Sequence, residues 1–315
     1  MKKRPDSLKA LKKLWFYETD GDTAVITGYK GADTDIAVPD KIGRYSVVKI
    51  GFGAFSPHKD YARLYRRTAA KEHYNNIRRV IIPPGVTEIE KNAFSYCASL
   101  KEAVLPATLK IIGEAAFRGS TVRTAVIPKG VVEIGADAFA DCKFLKDIVI
   151  PDGIIKARWA FHGCGIKTLV IPEGVTEIAK EMFIHCESLR EVVTPASLRR
   201  IGERAFESSG VERVSITEGV TKIDFCAFYD CLALKEVTLP STLRIIENHV
   251  FGRSKEDYYG RKKDVLESVV FAGNSAKAAI GRELFENRGH VVVYAPPGSP
   301  AAKYAQKNKV KWQPL

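Results

Sequence analysis

The stretches Leu100–Phe117 (LKEAVLPATLKIIGEAAF) and Val122–Phe139 (VRTAVIPKGVVEIGADAF) decide the fold, because they are two copies of one pattern. In each copy an alternating apolar run ends at a proline, and an Ile-x-x-x-Ala-Phe string follows. The phenylalanine of this string recurs at intervals of 22 or 23 residues, at Phe94, Phe117, Phe139, Phe161, Phe183, Phe206, Phe228 and Phe251. Self-similarity at a fixed period of this length is the signature of a solenoid.

The same pattern continues in degenerate form to Phe55 and Phe285, which mark the two ends of an array of about nine repeats. Alternation with period two predicts one short strand in each repeat, and stacked repeats then form a parallel sheet. The proline after the strand has no N–H for a ladder, so it ends the strand, and only Thr217 departs from it. The apolar residues of the second half, such as Ile134 and Phe139, must pack against the repeats above and below.

The consensus unit L-x-x-V-x-I-P-x-x-V-x-x-I-x-x-x-A-F-x-x-C resembles the BspA-like class of leucine-rich repeat, from about Asp33 to Phe285. The resemblance implies an α/β leucine-rich-repeat solenoid that is mainly β. It would have one short strand per repeat in one parallel sheet, and short turns on the opposite face. It also implies a right-handed superhelix that serves adhesion or protein recognition, often in bacterial surface proteins.

Both ends of the array have sequences that are typical of caps. Leu14 to Glu18 and Thr23 to Tyr29 flank Asp20-Gly21, which predicts a β-hairpin. Val291 to Tyr294 is predicted as the last strand, and a short helix is predicted to begin at Ser299-Pro300. We therefore divide the chain into an N-terminal cap (1–32), a solenoid (33–285) and a C-terminal cap (286–315).

Two insertions, at residues 56–76 and 252–264, interrupt the period. The first contains Tyr61 at helical spacing from other apolar residues and Arg63 and Arg67 four apart, which predicts a basic amphipathic helix. The second contains Tyr258 and Tyr259 without apolar periodicity, which predicts an exposed loop. Insertions in repeat folds often carry specificity, so these five residues are candidates for partner binding. The alternative is that both insertions are structural filler.

Charge and hydropathy restrict the location and the partners. Lys and Arg outnumber Asp and Glu by 49 to 37, which gives a net charge of +12 and a pI near 9.3. Lysines interrupt Leu8 to Trp15, so no signal-peptide core follows the basic start. No apolar stretch approaches the roughly 20 residues needed to span a bilayer. As written, the sequence predicts a cytoplasmic monomer without a membrane span, or a cell-surface or secreted protein if a leader was removed.

The outward position of each predicted strand forms what we call the valine row. Its members are Ile81, Val104, Val126, Val149, Val170, Val193, Ser215, Thr238 and Val270. An exposed apolar stripe is typical of a recognition surface. The alternative is that these residues follow from strand preference alone, because β-branched side chains favour a parallel ladder.

A second row, which we call the basic row, follows the leading apolar residue of each repeat. It contains Arg78, Lys101, Arg123, Lys146, Lys167, Arg190, Glu212 and Lys235. The next position carries Glu102, Asp147, Glu191 and Glu236, so we expect much of this charge to be paired locally. Compensation is weakest from Arg63 to Arg79, where an acidic surface or polyanion would dock.

Five cysteines lie three residues after a repeat phenylalanine, at Cys97, Cys142, Cys164, Cys186 and Cys231. We interpret them as packed thiols, since free cysteine behaves as a small buried hydrophobe, with disulfides as the alternative. Cys226 lies outside this series.

The strongest metal hypothesis combines His162 and Cys164 with His185 and Cys186. The two histidines stand at different offsets from their phenylalanines, so we expect their side chains to diverge, and we predict no metal.

No motif for nucleophilic catalysis or phosphate binding occurs in the sequence. Paired carboxylates such as Glu88 and Glu90 are repeat residues, and a regular solenoid builds no enclosed pocket for acid–base chemistry. We therefore predict a scaffold without catalytic residues or cofactor that binds a protein or peptide through the valine row, the basic row and the insertions. The alternative is binding of a polyanion, nucleic acid or acidic glycan, through the basic row.

Overall fold

The structure is a computed structural model that describes residues 13–58, 74–152, 157–254, 265–273 and 278–315. The chain divides into two compact units, Met1–Phe161 and His162–Leu315, which we call the first and second units. The predicted insertion residues Tyr61, Arg63, Arg67, Tyr258 and Tyr259 lie outside the described residues. The helix predicted in the first insertion falls almost wholly there as well, so both insertions stay predictions.

The first unit begins with the predicted hairpin, which is confirmed. Strands β1 (Trp15–Asp20) and β2 (Thr23–Tyr29) pair antiparallel, and Gly21 in the turn has a left-handed φ of 54°. The Thr23 hydroxyl donates to the Asp20 carbonyl at 2.8 Å and closes this turn. Because β2 also pairs with a strand of the next turn, the hairpin covers the first edge of the sheet.

The remaining described strands of the first unit are short and follow the repeat. They are β3 (Asp35–Ala37), β4 (Lys41–Ile42), β5 (Tyr45–Ile50), β6 (Arg79–Ile81), β7 (Glu88–Ile89), β8 (Glu102–Val104), β9 (Ile111–Ile112), β10 (Thr124–Val126), β11 (Glu133–Ile134) and β12 (Asp147–Val149).

These strands form two parallel ladders. The three-residue strands pair as β3-β6-β8 and β10-β12, while the two-residue strands β7, β9 and β11 follow β5 in that order and extend the hairpin sheet. The sequence predicted only the first ladder. The second was missed because two residues around the repeat isoleucine are too few to show an alternation.

The second unit repeats this arrangement and adds one helix. Its described elements are β13 (Thr168–Val170), β14 (Glu177–Ile178), β15 (Glu191–Val193), β16 (Arg200–Ile201), β17 (Arg213–Ser215), β18 (Lys222–Ile223), β19 (Glu236–Leu239), β20 (Ile245–Ile246), β21 (Ser268–Phe271), β22 (Ala279–Ile280), β23 (Val292–Tyr294), α1 (Pro300–Lys307) and β24 (Lys311–Gln313).

Its ladders run β13-β15 and β17-β19-β21-β23-β24 for the longer strands, and β14-β16-β18-β20-β22 for the short ones. The predicted mainly β, parallel-sheet solenoid is therefore confirmed. The prediction that Val291 to Tyr294 is the last strand is wrong, because β24 follows α1 and pairs in parallel with β23. This exposed strand has only three residues, too few for its alternation to stand out in the sequence.

Helix α1 begins where the sequence predicted it. The Ser299 hydroxyl accepts a hydrogen bond from the Ala302 amide at 3.1 Å, and Pro300 occupies the first helical turn. Ala301, Ala302 and Ala305 are buried, so the small face of the helix packs on the end of the unit. No helix in the described part of the chain has the length and apolarity that a membrane crossing requires.

The core of each unit is a column of stacked phenylalanine rings. In the first unit the ring centroids from Phe55 through Phe94, Phe117 and Phe139 to Phe161 are 4.9, 5.1, 5.0 and 5.5 Å apart. In the second unit the column joins Phe183, Phe206, Phe228, Phe251 and Phe285 at 5.6, 5.2, 5.9 and 6.0 Å. The rings are almost parallel, so each phenylalanine is buried by its neighbours along the column.

The residues two before and two after the phenylalanine take left-handed backbone conformations. Those before it are Gly53, Asn92, Ala115, Asp137, Trp159, Glu181, Arg204, Cys226, His249 and Glu283. Those after it are Tyr96, Gly119, Asp141, Gly163, His185, Ser208, Asp230 and Asn287. Cys226, which the sequence left without a role, is therefore the left-handed residue before Phe228. Most of these residues are not glycine, so packing around the column must maintain a backbone conformation that L-residues otherwise avoid.

The cysteine positions behave as the packing interpretation predicted. All six cysteines are free thiols and buried. The Sγ atoms of Cys97, Cys142 and Cys231 donate to the carbonyls of Phe55, Phe117 and Phe206, at 3.2, 3.2 and 3.0 Å. Each of these thiols thus links its turn to the phenylalanine of the turn before.

Replacing one ring inside the column should destabilise the protein strongly. For Phe139→Ala we expect a loss of about 3–5 kcal/mol in the free energy of unfolding, from lost apolar transfer and the cavity left between Phe117 and Phe161. Equilibrium urea unfolding followed by circular dichroism measures this loss. Phe144→Ala is the matched control, because that ring is 53% exposed. Equal losses in the two variants would show that the column is not the main source of stability.

Candidate partner-binding face

The valine row of the first unit lies on the outer side of the longer strands. Val126 and Val149 are partners in the β10–β12 ladder and are 67% and 57% exposed. Ile81 and Val104 are partners in the β6–β8 ladder and are half-buried. The inward neighbours Ala125 and Ile148 are buried, so alternation sends the two valines into solvent.

In the second unit the row begins in the same way and then changes character. Val170 and Val193 are partners in the β13–β15 ladder and are 56% and 44% exposed. In the β17–β19 ladder the corresponding partners are Ser215 and Thr238, both exposed, and Val270 beyond them is half-buried. The exposed valines of the row in this unit are therefore confined to β13 and β15.

The basic row of the first unit is a column of exposed cations. The amides of Lys101, Arg123 and Lys146 donate to the carbonyls of Arg78, Lys101 and Arg123, at 2.8, 3.1 and 3.0 Å. These four residues therefore occupy the same place on four consecutive turns. All four side chains are exposed, and none forms an ion pair with another described residue.

The local pairing expected for this row is wrong in the first unit. Glu102 does not pair with Lys101 but with Arg79, its partner across the β6–β8 ladder, at 2.9 Å. Partner residues on adjacent strands stand directly opposite each other, so the Glu102 carboxylate reaches Arg79 across the ladder. Pairing across the ladder therefore leaves Lys101 without a carboxylate.

The second unit neutralises the same row. Glu212 stands in the row between Arg190 and Lys235 and pairs with both, at 3.4 and 3.5 Å. In the adjacent row Arg213 pairs with Glu236 at 3.5 Å. Lys167 and Glu191 are exposed. The expected local pairing therefore holds in part of the second unit.

The structure brings together the two histidines that were considered for a metal. The expectation that His162 and His185 diverge is wrong, because their ring centroids are 5.4 Å apart. The left-handed φ of 57° at His185 turns its side chain towards the preceding turn. Cys164 and Cys186 are buried, and no group of three or more potential metal ligands occurs among the described residues.

A group of titratable residues that the sequence analysis missed lies around the second unit's phenylalanine column. Glu207 is 3.5 Å from the Arg204 guanidinium, but its buried Oε2 atom accepts no hydrogen bond. Burial raises the pKa of Glu207 to about 7; Arg204 opposes this rise, and Asp230, Glu181 and Glu203 add to it. The left-handed φ at Arg204 directs that residue to this group, and no sequence motif signals this conformation.

The other members of this group offer no activated nucleophile. Burial raises the pKa of the Cys226 thiol to about 12, with a further contribution from Glu207. Burial also raises the pKa of Tyr229 above its ordinary value. His249 contacts Glu286 at 2.9 Å and packs edge-on against Phe225. Since the thiol and the phenol stay protonated at neutral pH, the group is best explained as packing around the column.

The repeat matches the model of one protein family, described as "BspA type Leucine rich repeat region", in six copies over residues 70–159 and 157–287. The chain belongs to this family. The resemblance found in the sequence is thereby confirmed, and the family and fold are those of a repeat scaffold. No curated protein matches the sequence.

Solved structures of bacterial leucine-rich-repeat proteins share this fold. The T. pallidum leucine-rich-repeat protein TpLRR is 25% identical, with a TM-score of 0.53 over 62% of this chain and 86% of its own. A leucine-rich-repeat protein from Bacteroides ovatus is 19% identical, with a TM-score of 0.52 over 96% and 98%. The pneumococcal vaccine antigen PcpA is 16% identical, with a TM-score of 0.50 over 95% and 96%.

Glu207 should make stability depend on pH. Because its pKa is raised on folding, the folded state holds this proton more tightly than the unfolded chain. Its contribution to stability is therefore complete below the ordinary glutamate pKa and is lost as pH rises through about 7. At pH 8 we expect Glu207→Gln to be more stable than the parent by on the order of 1–2 kcal/mol after solvent screening.

The measurement is urea unfolding of both proteins from pH 4 to pH 8. Glu191→Gln is the control, since Glu191 is an exposed residue of the same unit. A stability difference between parent and Glu207→Gln that does not grow with pH would contradict the raised pKa.

Proposed function

We propose that the chain is a non-catalytic scaffold that recognises a protein or peptide through the exposed valines of its longer strands. The observation that carries this proposal is the in-register exposure of Val126 and Val149 in the first unit and of Val170 and Val193 in the second. Exposed apolar side chains that align over neighbouring strands offer area whose burial against a partner is favourable.

Strand preference alone is a weaker explanation for these valines. Ser215 and Thr238 occupy the same outward position on β17 and β19, and those strands pair equally regularly. The fold therefore accepts polar residues at this position, while β8, β10, β12, β13, β15 and β21 carry valine there. A basic residue stands three positions before each of these valines, at Arg123, Lys146, Lys167 and Arg190, which matches the apolar centre and polar rim of protein interfaces.

Polyanion binding is supported less well. Glu212 neutralises two cations of the second unit's basic row, so a phosphate backbone would meet no continuous cationic track in that unit. The exposed valines would also have no role in such binding.

Substituting the valines should abolish partner capture. We expect Val126→Asp/Val149→Asp and, separately, Val170→Asp/Val193→Asp to remain folded at the temperature of the capture, as circular dichroism would show, but to lose a bound protein. The reason is that each aspartate removes an apolar contact and would bury an unpaired charge in the interface. The measurement is affinity capture from lysate and envelope fractions of the source cell, followed by mass spectrometry of the retained proteins.

Val132→Asp is the matched control, because Val132 is also an exposed valine, at 46%, but lies outside the valine row. Loss of the same protein in a row variant but not in this control would support the proposal. Equal capture by all variants, dominated by nucleic acid that salt removes, would favour the polyanion alternative.

A further inference from the structure

We infer that the first unit binds an extended acidic protein segment, whose carboxylates meet Arg78, Lys101, Arg123 and Lys146 and whose apolar side chains meet Val126 and Val149. This inference rests on the proposed function and adds the chemistry of the partner. It concerns the first unit only.

The four cations form a site of fixed spacing. Their backbones are hydrogen bonded in sequence, so the residues repeat at the strand separation of about 4.8 Å, and the four positions span about 15 Å. Like charges on neighbouring strands repel one another and destabilise a sheet. Anions bound along the row of four cations would relieve this repulsion.

The protein does not satisfy this preference from its own described residues. Glu102 is held by Arg79, and no described carboxylate pairs with any of the four cations. The second unit shows that the repeat can supply one, because Glu212 stands in its basic row and pairs with Arg190 and Lys235. The open row is thus a property of the first unit and not of the repeat.

The apolar surface accompanies the open charges. Arg123 and Lys146 each stand three residues before an exposed valine of the same turn, Val126 and Val149. In the second unit the turn that carries Glu212 carries Ser215 in place of valine, and the following turn carries Thr238. Neutral charge and polar surface thus appear together on these two turns of the second unit, while open charge and exposed valine occur together on the Arg123 and Lys146 turns of the first.

This combination selects the class of ligand. A nucleic acid or acidic glycan would satisfy the cations but would leave the valines without apolar partners. Successive side chains of an extended peptide point to opposite sides, so alternating acidic and apolar residues reach both rows at once. At about 3.3 Å per residue, an octapeptide is long enough to cover the four turns.

The test uses three fluorescently labelled octapeptides of alternating sequence, Glu-Val, Glu-Ser and Lys-Val, and the purified full chain. Fluorescence anisotropy gives the affinity of each peptide. We expect the Glu-Val peptide to bind more tightly than the Glu-Ser peptide, and the Lys-Val peptide not to bind. We expect Lys101→Glu/Arg123→Glu to weaken the Glu-Val peptide by at least about tenfold, since two attractions become repulsions.

Lys303→Glu/Lys311→Glu is the matched control, because it makes the same change of charge at exposed lysines of the second unit that lie outside the basic row, and it should leave the affinity unchanged. Lys101→Gln/Arg123→Gln repeats the experiment without introducing new acids, in case the reversed charges disturb folding. Val126→Ser/Val149→Ser should lower the affinity for the Glu-Val peptide to that for the Glu-Ser peptide.

The inference would be overturned if Lys101→Glu/Arg123→Glu and the control in the second unit lowered the affinity for the Glu-Val peptide equally. Binding would then depend on net charge alone. It would also be overturned if a thymidine oligonucleotide bound the parent more tightly than the Glu-Val peptide and its affinity were unchanged by Val126→Ser/Val149→Ser. If valine-dependent protein capture persists while the Glu-Val peptide does not bind, the inference fails and the proposed function stands. If the peptide binds but no capture depends on the valines, the proposed function fails instead.

Discussion

A phenylalanine ring that is buried against the rings of the neighbouring turns sets the geometry of both units. Within each unit the ring centroids are 4.9 to 6.0 Å apart, close to the separation of about 4.8 Å between paired strands. The stacking of rings and the pairing of strands thus demand nearly the same rise per turn. Both can be satisfied only if every turn has almost the same length, which explains the period of 22 or 23 residues.

The left-handed residues on either side of the phenylalanine follow from the same demand. They bend the chain sharply on both sides of the buried ring. Because this bend is imposed by the column, it is filled by residues as different as Ala115, Trp159 and Cys226. The Arg204 and Glu207 pair, whose carboxyl has a raised pKa, lies beside such a bend. Packing of the core therefore determines the electrostatics next to it.

The parts of the structure that depend on periodicity could be predicted from the sequence. The strands, the hairpin, the start of α1 and the buried cysteines all follow from a repeating phase or a local capping pattern. The two-residue ladder and β24 could not be predicted, because they are too short to show a period. The closeness of His162 and His185 depends on a left-handed backbone at His185, which a histidine in the sequence does not signal.

For the candidate binding residues, too, the sequence predicted some features and missed others. The sequence identified which residues share a row, since that depends on phase alone. It could not identify which charges are paired, since Glu102 pairs across the ladder with Arg79 and not with its sequence neighbour. Such pairings explain why Arg190 and Lys235 of the second unit form ion pairs, whereas the basic-row cations of the first unit form none with described residues.

Regular hydrogen bonding between neighbouring turns also has a consequence for how the chain reaches its fold. The bond from the Lys146 amide to the Arg123 carbonyl closes a loop of one repeat, as does the bond from the Lys101 amide to the Arg78 carbonyl. Outside the two insertions, the entropy of loop closure is therefore nearly the same small increment at each step and does not grow with the number of repeats. Folding can then start at any adjacent pair of turns and extend outward by addition. Chain length would alter how long this growth takes without altering the barrier to starting it.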